Sequence, residues 1–227
     1  MVNQDKTNVI FNKLISTLVI TPGSTVVELG VGKMGYTKYY LTLMENTGQV
    51  IGFEPLKKFY DSAVEYSKNA APNLIMFNAA VSKFNGQQTF FDCTQYPERG
   101  GLRITNGSVN TYLVNATTLD IALKNISIKK LSLLSMDIEG GEYDSIVGAI
   151  EIIKRYSPVI ITEVVPMFLA HFKYSIDTWN ELIKSIGYTQ IIFDNIPLHA
   201  QMHYLSKVYV PIAQEKQWKH RFQNLSV

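Results

Sequence analysis

The stretch Val26 to Tyr40, VVELGVGKMGYTKYY, constrains the fold more than any other part of the chain. A β-branched start, Thr25 to Glu28, reads as a short strand. It runs into Gly30, Gly32 and Gly35, after which Tyr36, Tyr39, Tyr40 and Leu43 mark one face of a helix. A strand that turns so sharply into a helix brings its backbone close to a ligand, and glycine leaves no Cβ in the way. The free N–H groups of the helix start then face that ligand.

The spacing G-x-G-x-x-G is the dinucleotide fingerprint, in which the loop holds a pyrophosphate. On its own it is weak evidence, and a glycine turn with no ligand also fits. Glu28 separates the ligands. An acid two residues before the first glycine would lie close to a doubly negative pyrophosphate. S-adenosylmethionine carries an α-ammonium and a sulfonium instead, and an acid there suits both. Glu28 could act directly or by holding the loop backbone. Glu54 stands at the end of the next strand, Val50 to Phe53, 19 residues beyond Gly35. An acid in that place accepts bonds from ribose hydroxyls. Both kinds of cofactor have the ribose, so Glu54 points to an adenosine nucleoside without choosing between them.

The rest of the chain supports a β-α-β order with short connectors, which calls for parallel strands and right-handed crossovers. An amphipathic helix is expected over about 5–18, from Ile10, Leu14 and Leu18. Phe59, Ala63 and Tyr66 give the helix after Glu54, and Leu74 to Phe77 the third strand. Leu131 to Met136 is a continuous apolar run typical of a central parallel strand, and Pro158 to Val164 is another. Ile146, Ala149, Ile150 and Ile153 form a helical stripe, as do Trp179, Leu182, Ile183 and Ile186, with Gly187 as a C-terminal cap. Two closing strands are expected near Thr189–Phe193 and Tyr204–Val210. Residues 82–117 break the rhythm: a hairpin turn at Asn85-Gly86 leads into a strand, and the glycine-rich remainder reads as an irregular insert that is either a surface loop or a lid. No repeat or linker is evident, so residues 1–227 read as one domain, with an N-terminal helix in 1–20.

Composition narrows the class. The net charge of +2 is too mild to argue for nucleic acid by bulk electrostatics. Charged residues make up only 18%, which suits self-association or membership of a larger polypeptide. Cys93 is the one cysteine, so an internal disulfide and a Cys-rich zinc site are both excluded. The N-terminus lacks the basic and apolar regions of a signal peptide, and no stretch reaches the ~18 apolar residues of a membrane span. A soluble protein of a reducing, cytoplasmic compartment is the expectation.

The chemistry concentrates in MDIEGGEYD. It places Asp137, Glu139, Glu142 and Asp144 within eight residues, directly after an apolar strand. In open α/β sheets the ligand lies beyond the carboxyl ends of the strands, so Asp137 and Glu139 would face the reacting centre. Glu163, ending the next strand, would point into the same crevice. Glu142 and Asp144 read better as first-turn charges complementing a helix dipole. His171 follows a few residues later and is a further candidate base; His199, His203 and His220 are weaker ones. Asp137, Glu139 and Glu163 could deprotonate a hydroxyl or could hold Mg²⁺. Direct base catalysis is preferred and the metal stays open.

Six stretches together resemble the FkbM family of S-adenosylmethionine-dependent methyltransferases: VVELGVGKMGYTKYY, VIGFEP, FNAAVSKFNGQQTFF, TTLD and, most distinctive, LLSMDIEGGEYDSIVGA followed by PVIITEV. They run in family order from about 25 to 190. The resemblance implies a Rossmann-like class I methyltransferase, with a mostly parallel seven-stranded sheet and helices on both faces. It implies that Glu28, Gly30, Gly32 and Gly35 frame the methionine end of S-adenosylmethionine, that Glu54 holds the ribose, and that Asn78, Ala79 and Ala80 lie beside the adenine. It also implies methyl transfer to oxygen, on a sugar, a glycan or a small natural product. The chain departs from the family at Glu28, where Asp is usual, and at Gly32-Lys33, where Ala-Asn is common. Two other readings remain. One is an NAD-dependent oxidoreductase, although no Tyr-x-x-x-Lys helix follows the fourth strand. The other is a non-catalytic module that binds the cofactor or a glycan.

Overall fold

The computed structural model describes residues 4–45, 47–93, 100–103, 109–194, 196, 201 and 206–223. Seven strands form the main sheet: β1 (Thr25–Leu29), β2 (Gln49–Phe53), β3 (Leu74–Phe77), β7 (Leu131–Met136), β8 (Val159–Thr162), β9 (Tyr188–Gln190) and β10 (Lys207–Pro211). Their order is β3-β2-β1-β7-β8-β10-β9. β3, β2, β1, β7 and β8 are parallel, and β10 runs antiparallel to both of its neighbours. A second sheet, ordered β4-β6-β5, consists of β4 (Ala80–Val81), β5 (Gly86–Cys93) and β6 (Val109–Thr117).

The helices are α1 (Gln4–Val19), α2 (Gly35–Leu43), α3 (Lys57–Ala70), α4 (Leu119–Ala122), α5 (Glu142–Val147), α6 (Ile150–Tyr156), α7 (Pro166–His171), α8 (Ile176–Ser185) and α9 (Glu215–Phe222). They cover both faces of the main sheet, because successive strand side chains point opposite ways. Val26, Val50, Leu133 and Val208 join a core with Phe11 and Ile15 of α1, Tyr40 of α2 and Phe222 of α9. Val27, Ile51, Leu134 and Tyr209 join another with Ile146, Ile153, Leu169 and Trp179. Burial on both faces is why these strands read as unbroken apolar runs. Inside the second core, Trp179 Nε1 donates to the Tyr209 hydroxyl at 2.7 Å, so neither polar atom is left orphaned. Among the described residues no helix is long and apolar enough to cross a membrane.

The chain leaves β1 for β2 and β3 on one side and returns to β7 and β8 on the other. The carboxyl ends of β1 and β7 therefore flank the point where strand order reverses, where open α/β sheets bind ligands.

The sequence reading needs three changes. Asn85-Gly86 does turn the chain, but β4 and β5 are not partners; β6 lies between them, pairing parallel with β4 and antiparallel with β5. Residues 86–93 form the strand expected after the turn, and 109–117, part of the stretch read as irregular, form another, while 94–99 and 104–108 lie outside the described residues. The stripe from Ile146 to Ile153 is shared by two helices. The break comes at Gly148, packed on the Ser82 carbonyl, and the Asp120 carboxylate of α4 accepts from the N–H groups of Glu151 and Ile152 to restart the helix. Finally, α9 was not foreseen. Its EKQWKHRF sequence is mostly polar and buries only Phe222, so it carries almost no apolar period.

Candidate active site

The loop after β1 is stitched to both neighbouring strands. Gly30 donates its N–H to the Phe53 carbonyl at 3.0 Å, and the N–H of Asp137 reaches the Leu29 carbonyl at 3.1 Å. Gly30 has φ +85°, and a Cβ there would collide with the Asp137 carbonyl oxygen. Only glycine meets both demands. The loop after β2 is tied to the same place through one side chain. Glu54 accepts from the N–H of Gly32 through Oε2 and from the N–H of Leu56 through Oε1, both at 2.8 Å. Asn78 fixes this loop from behind, donating Nδ2 to the carbonyls of Glu54 at 2.9 Å and Pro55 at 3.0 Å. Burial raises the Glu54 carboxyl, and the two backbone donors oppose that rise. A carboxylate offers about four lone-pair sites, so two accepted bonds leave acceptor capacity for a ligand hydroxyl.

These loops line a cleft of about 640 Å³, counted with the space that is open to solvent. Gly30, Gly32, Glu54, Ala79 and Asp137 all line it. Leu56, Phe59 and Ala80 add apolar wall, and Phe90 with Leu102 closes over it. The roof depends on the second sheet: Gly101 exchanges two backbone bonds with Phe91, at 2.8 and 3.0 Å.

Glu28 sits behind the cavity. It is 3% exposed and accepts a 2.6 Å bond from the Thr37 hydroxyl, which braces β1 against α2. Burial pushes its carboxyl up to about 8, and the charges of Asp137 and Glu54 push the same way. At neutral pH its proton is therefore mostly retained. Its bond to Thr37 ties the end of β1 to α2. Gly35 opens α2, with nothing near its Cβ position.

After β7 the acids divide. Asp137 reaches the cavity. Glu139 adopts φ +56°, rare for a residue with a Cβ, and Gly140 follows at φ +101° with a virtual Cβ only 2.6 Å from the Phe168 carbonyl oxygen. Glu142 is buried, accepts from the Ile138 N–H at 3.3 Å and has its carboxyl raised to about 8 by that burial. It braces the 137–141 loop, which is more than the helix-dipole reading allowed. Asp144 accepts from the Tyr174 hydroxyl at 2.6 Å and pairs with Lys83 at 3.2 Å. Glu163 follows β8, half-buried, its N–H on the Met136 carbonyl at 3.3 Å. It lies within electrostatic reach of Tyr36 and of Lys207, a lysine that burial lowers to about 8. His171 ends α7 with its ring against Phe168 and a buried Nδ1 that has no hydrogen-bond partner. Among the described residues no three His, Cys, Asp or Glu side chains are gathered so as to hold a metal ion. The donor set that a Mg²⁺ site built on Asp137, Glu139 and Glu163 would need is thus not assembled. His199 and His203 lie outside the described residues.

A family model described as the methyltransferase FkbM domain matches residues 29–189. The chain belongs to the FkbM methyltransferase family. Its sheet is that of class I S-adenosylmethionine-dependent methyltransferases. Among solved structures it resembles the methyltransferase FkbM of Methylobacillus flagellatus, with a TM-score of 0.54 and 13% identity, over 84% of this chain and 44% of that one. The present chain therefore spans less than half of that protein. A putative rRNA methylase from Clostridium thermocellum matches with a TM-score of 0.52 and 9% identity, over 89% and 93% of the two chains. SMU.1697c, a putative methyltransferase from Streptococcus mutans solved with SAH, matches with a TM-score of 0.51 and 7% identity, over 89% and 95%. Identities this low speak for the fold alone. No curated protein matches the chain by sequence.

Several parts of this FkbM domain's cavity escaped the sequence reading. Phe90 and Leu102 come from the second sheet and its Gly100-Gly101 segment, whose only signal was a glycine pair in an irregular-looking stretch. Thr37 gave none, since a threonine in a helix becomes meaningful only once Glu28 is known to be buried beneath it.

Proposed function

We propose that the domain transfers a methyl group from S-adenosylmethionine to a hydroxyl of a sugar or glycan. The observation that carries this reading is that Asp137 shares one cavity with Gly30, Gly32 and Glu54 at the β1/β7 switch point. The residues present fit the cofactor. Gly32 has open space where a Cβ would stand at the methionine end, Glu54 keeps acceptor capacity for the ribose, and Leu56, Ala79 and Ala80 supply an apolar wall for the adenine. When bound, the cofactor supplies an electrophilic methyl on a sulfonium.

Such a transfer is an in-line displacement that depends mainly on positioning. Asp137 accepts the acceptor's hydroxyl hydrogen, orients the oxygen and takes its proton as the oxygen becomes bound to carbon. Glu139 stands next to Asp137 on a strained backbone and shapes the acceptor side. The roof of Phe90 and Leu102 limits the access of water. Glu163 and His171 take supporting places on the β8 side. Two features support oxygen as the acceptor atom: a carboxylate suits a hydroxyl proton, and the family resemblance implies transfer to oxygen.

The test is a methyl-transfer screen with labelled S-adenosylmethionine over glycosides that include deoxyhexosides, small polyhydroxylated natural products and an RNA oligomer, with products mapped by NMR. Methylation of a sugar hydroxyl is expected. Transfer to RNA alone would overturn the acceptor class, and transfer to no acceptor would favour a non-catalytic module.

A further inference from the structure

We propose that Tyr36 is an acceptor-binding residue: its hydroxyl donates to a second oxygen of the acceptor, apart from the hydroxyl that Asp137 deprotonates. The inference rests on the methyl-transfer reading in placing the acceptor over Asp137. Tyr36 stands in the first turn of α2, directly after Gly35 of the glycine loop. It is half-buried, with its ring stacked on Tyr40 at a centroid distance of 6.1 Å.

The hydrogens around Tyr36 can be assigned one by one. The N–H of Ser206 donates to Asn8 Oδ1 at 2.8 Å, which fixes that amide. The Ser206 hydroxyl lies 3.2 Å from the same oxygen, which can only accept, so its hydrogen goes there. Ser206 Oγ is then left as the acceptor for Asn12, whose Nδ2 stands 3.0 Å away. That fixes the second amide, and the same Nδ2 donates to the Tyr36 hydroxyl at 3.1 Å. The Tyr36 oxygen therefore accepts, and its own hydrogen stays available. Among the described residues no hydrogen-bond acceptor takes it. Asn8, Asn12 and Ser206 lie outside residues 29–189, the span that the family model matches, so this setting is not part of what that match covers.

Strand alternation puts this hydroxyl on the same face of the sheet as the acids. Asp137 and Glu163 each extend a ladder by one residue, their N–H groups on the carbonyls of Leu29 and Met136. Asp137 has the parity of Ser135, which meets Tyr40 of α2. Glu163 has the parity of Val159 and Ile161, and Ser206 that of Val208, and these apolar residues pack in the core formed with α1 and α2. Ser206 comes just before Lys207, the partner of Thr162 in the sheet. The bridge from Tyr36 through Asn12 to Ser206 therefore crosses over the carboxyl ends of β7 and β8, where Asp137 and Glu163 emerge. Burial pushes the Tyr36 hydroxyl up to about 12, and the charges of Asp137 and Glu163 push the same way, so it remains a donor at neutral pH. A carboxylate that takes a proton and a phenol that gives a hydrogen bond suit an acceptor with two oxygens, as a sugar has, better than a simple alcohol.

The experiment is titration calorimetry of the full chain loaded with S-adenosylhomocysteine, with methyl glycopyranosides and their monodeoxy analogues as ligands. A glycoside is expected to bind, and loss of one particular hydroxyl is expected to weaken it about five- to tenfold, the worth of one neutral hydrogen bond. Tyr36→Phe should weaken the full glycoside by the same factor, bind that deoxy analogue as the wild type does, and leave the affinity for S-adenosylhomocysteine unchanged. The inference is overturned if no glycoside binds, if Tyr36→Phe leaves glycoside affinity unchanged, or if the variant weakens the glycoside and every deoxy analogue alike. Labelled S-adenosylmethionine separates it from the reading it rests on. The expected binding pattern without transfer to a sugar would sink that reading alone, and transfer to a sugar with binding unaltered in Tyr36→Phe would sink the inference alone.

Discussion

On the β2 side of the active-site cavity, backbone and side chain hold each other. Glu54 grips the N–H groups of Gly32 and Leu56, Asn78 grips the carbonyls of Glu54 and Pro55, and Gly30 lies against Asp137. On the β7 side, the groups proposed for chemistry come from separate loops, and Glu139 and Gly140 hold left-handed backbone to place them. The first side is fixed by these bonds as it stands and is the proposed seat of the cofactor. The second is a set of carboxylates with different jobs: Asp137 at the cavity, Glu142 and Asp144 bracing the fold. Binding and turnover should therefore respond to different substitutions.

The sharpest separation is expected from Asp137→Asn. Turnover should fall by about 10²–10⁴-fold, the usual worth of a general base, while the affinity for S-adenosylhomocysteine stays within a few-fold. Single-turnover methyl transfer with calorimetry on the same sample checks both halves. Full activity would remove Asp137 from the reaction.

Gly30→Ala should break the other side. The new methyl meets the Asp137 carbonyl in a left-handed backbone, so roughly a hundredfold loss of S-adenosylhomocysteine affinity is expected, together with a strain of about 1–2 kcal/mol from the backbone alone. Calorimetry and a thermal melt read the two effects. Unchanged binding would mean that the loop does not seat the cofactor.

Glu54→Gln is subtler. Glutamine keeps one acceptor oxygen but sets an NH₂ against the N–H of Gly32 or Leu56. Affinity should fall about tenfold, since a backbone donor left unpaired costs roughly 1–3 kcal/mol. A loss in turnover with affinity intact would place Glu54 on the wrong side of the comparison.

A pH-dependent effect concerns Glu28. Its carboxyl is raised from the ordinary 4.5 to about 8, so the folded state holds a proton that the unfolded chain has released. Stability attributable to it is full below pH 4.5 and is lost as pH climbs to about 8. Glu142 titrates in the same direction and window. Glu28→Gln should flatten its share of the decline, about 1–4 kcal/mol between pH 5 and 9, as read from urea unfolding at a series of pH values. An unaltered pH profile would mean that Glu28 is ionised in the folded protein.

The comparison also explains what was legible beforehand. The seat could be read because local rules govern it: glycines where backbone must approach, an acid at a strand end, and apolar runs for strands buried on both faces, with Leu131–Met136 found to the residue. The division among the acids could not be read, because Glu28, Asp137 and Glu142 differ mainly in depth, and depth is set by distant packing. Glu28 was expected to act on a cation directly or by holding the loop, and its depth beneath Thr37 had no local signal. The roof was missed because β6, the partner of the expected strand β5, lies in a stretch whose pattern resembles a loop. The C-terminal α9 was missed because a helix that buries one aromatic leaves no stripe.

Titration calorimetry of the full chain with S-adenosylhomocysteine and with NAD bears most directly on the seat itself. S-adenosylhomocysteine is expected to bind at one site per chain and NAD to give no heat. Binding of NAD with no heat from S-adenosylhomocysteine would contradict the assignment of the glycine loop and of everything built upon it.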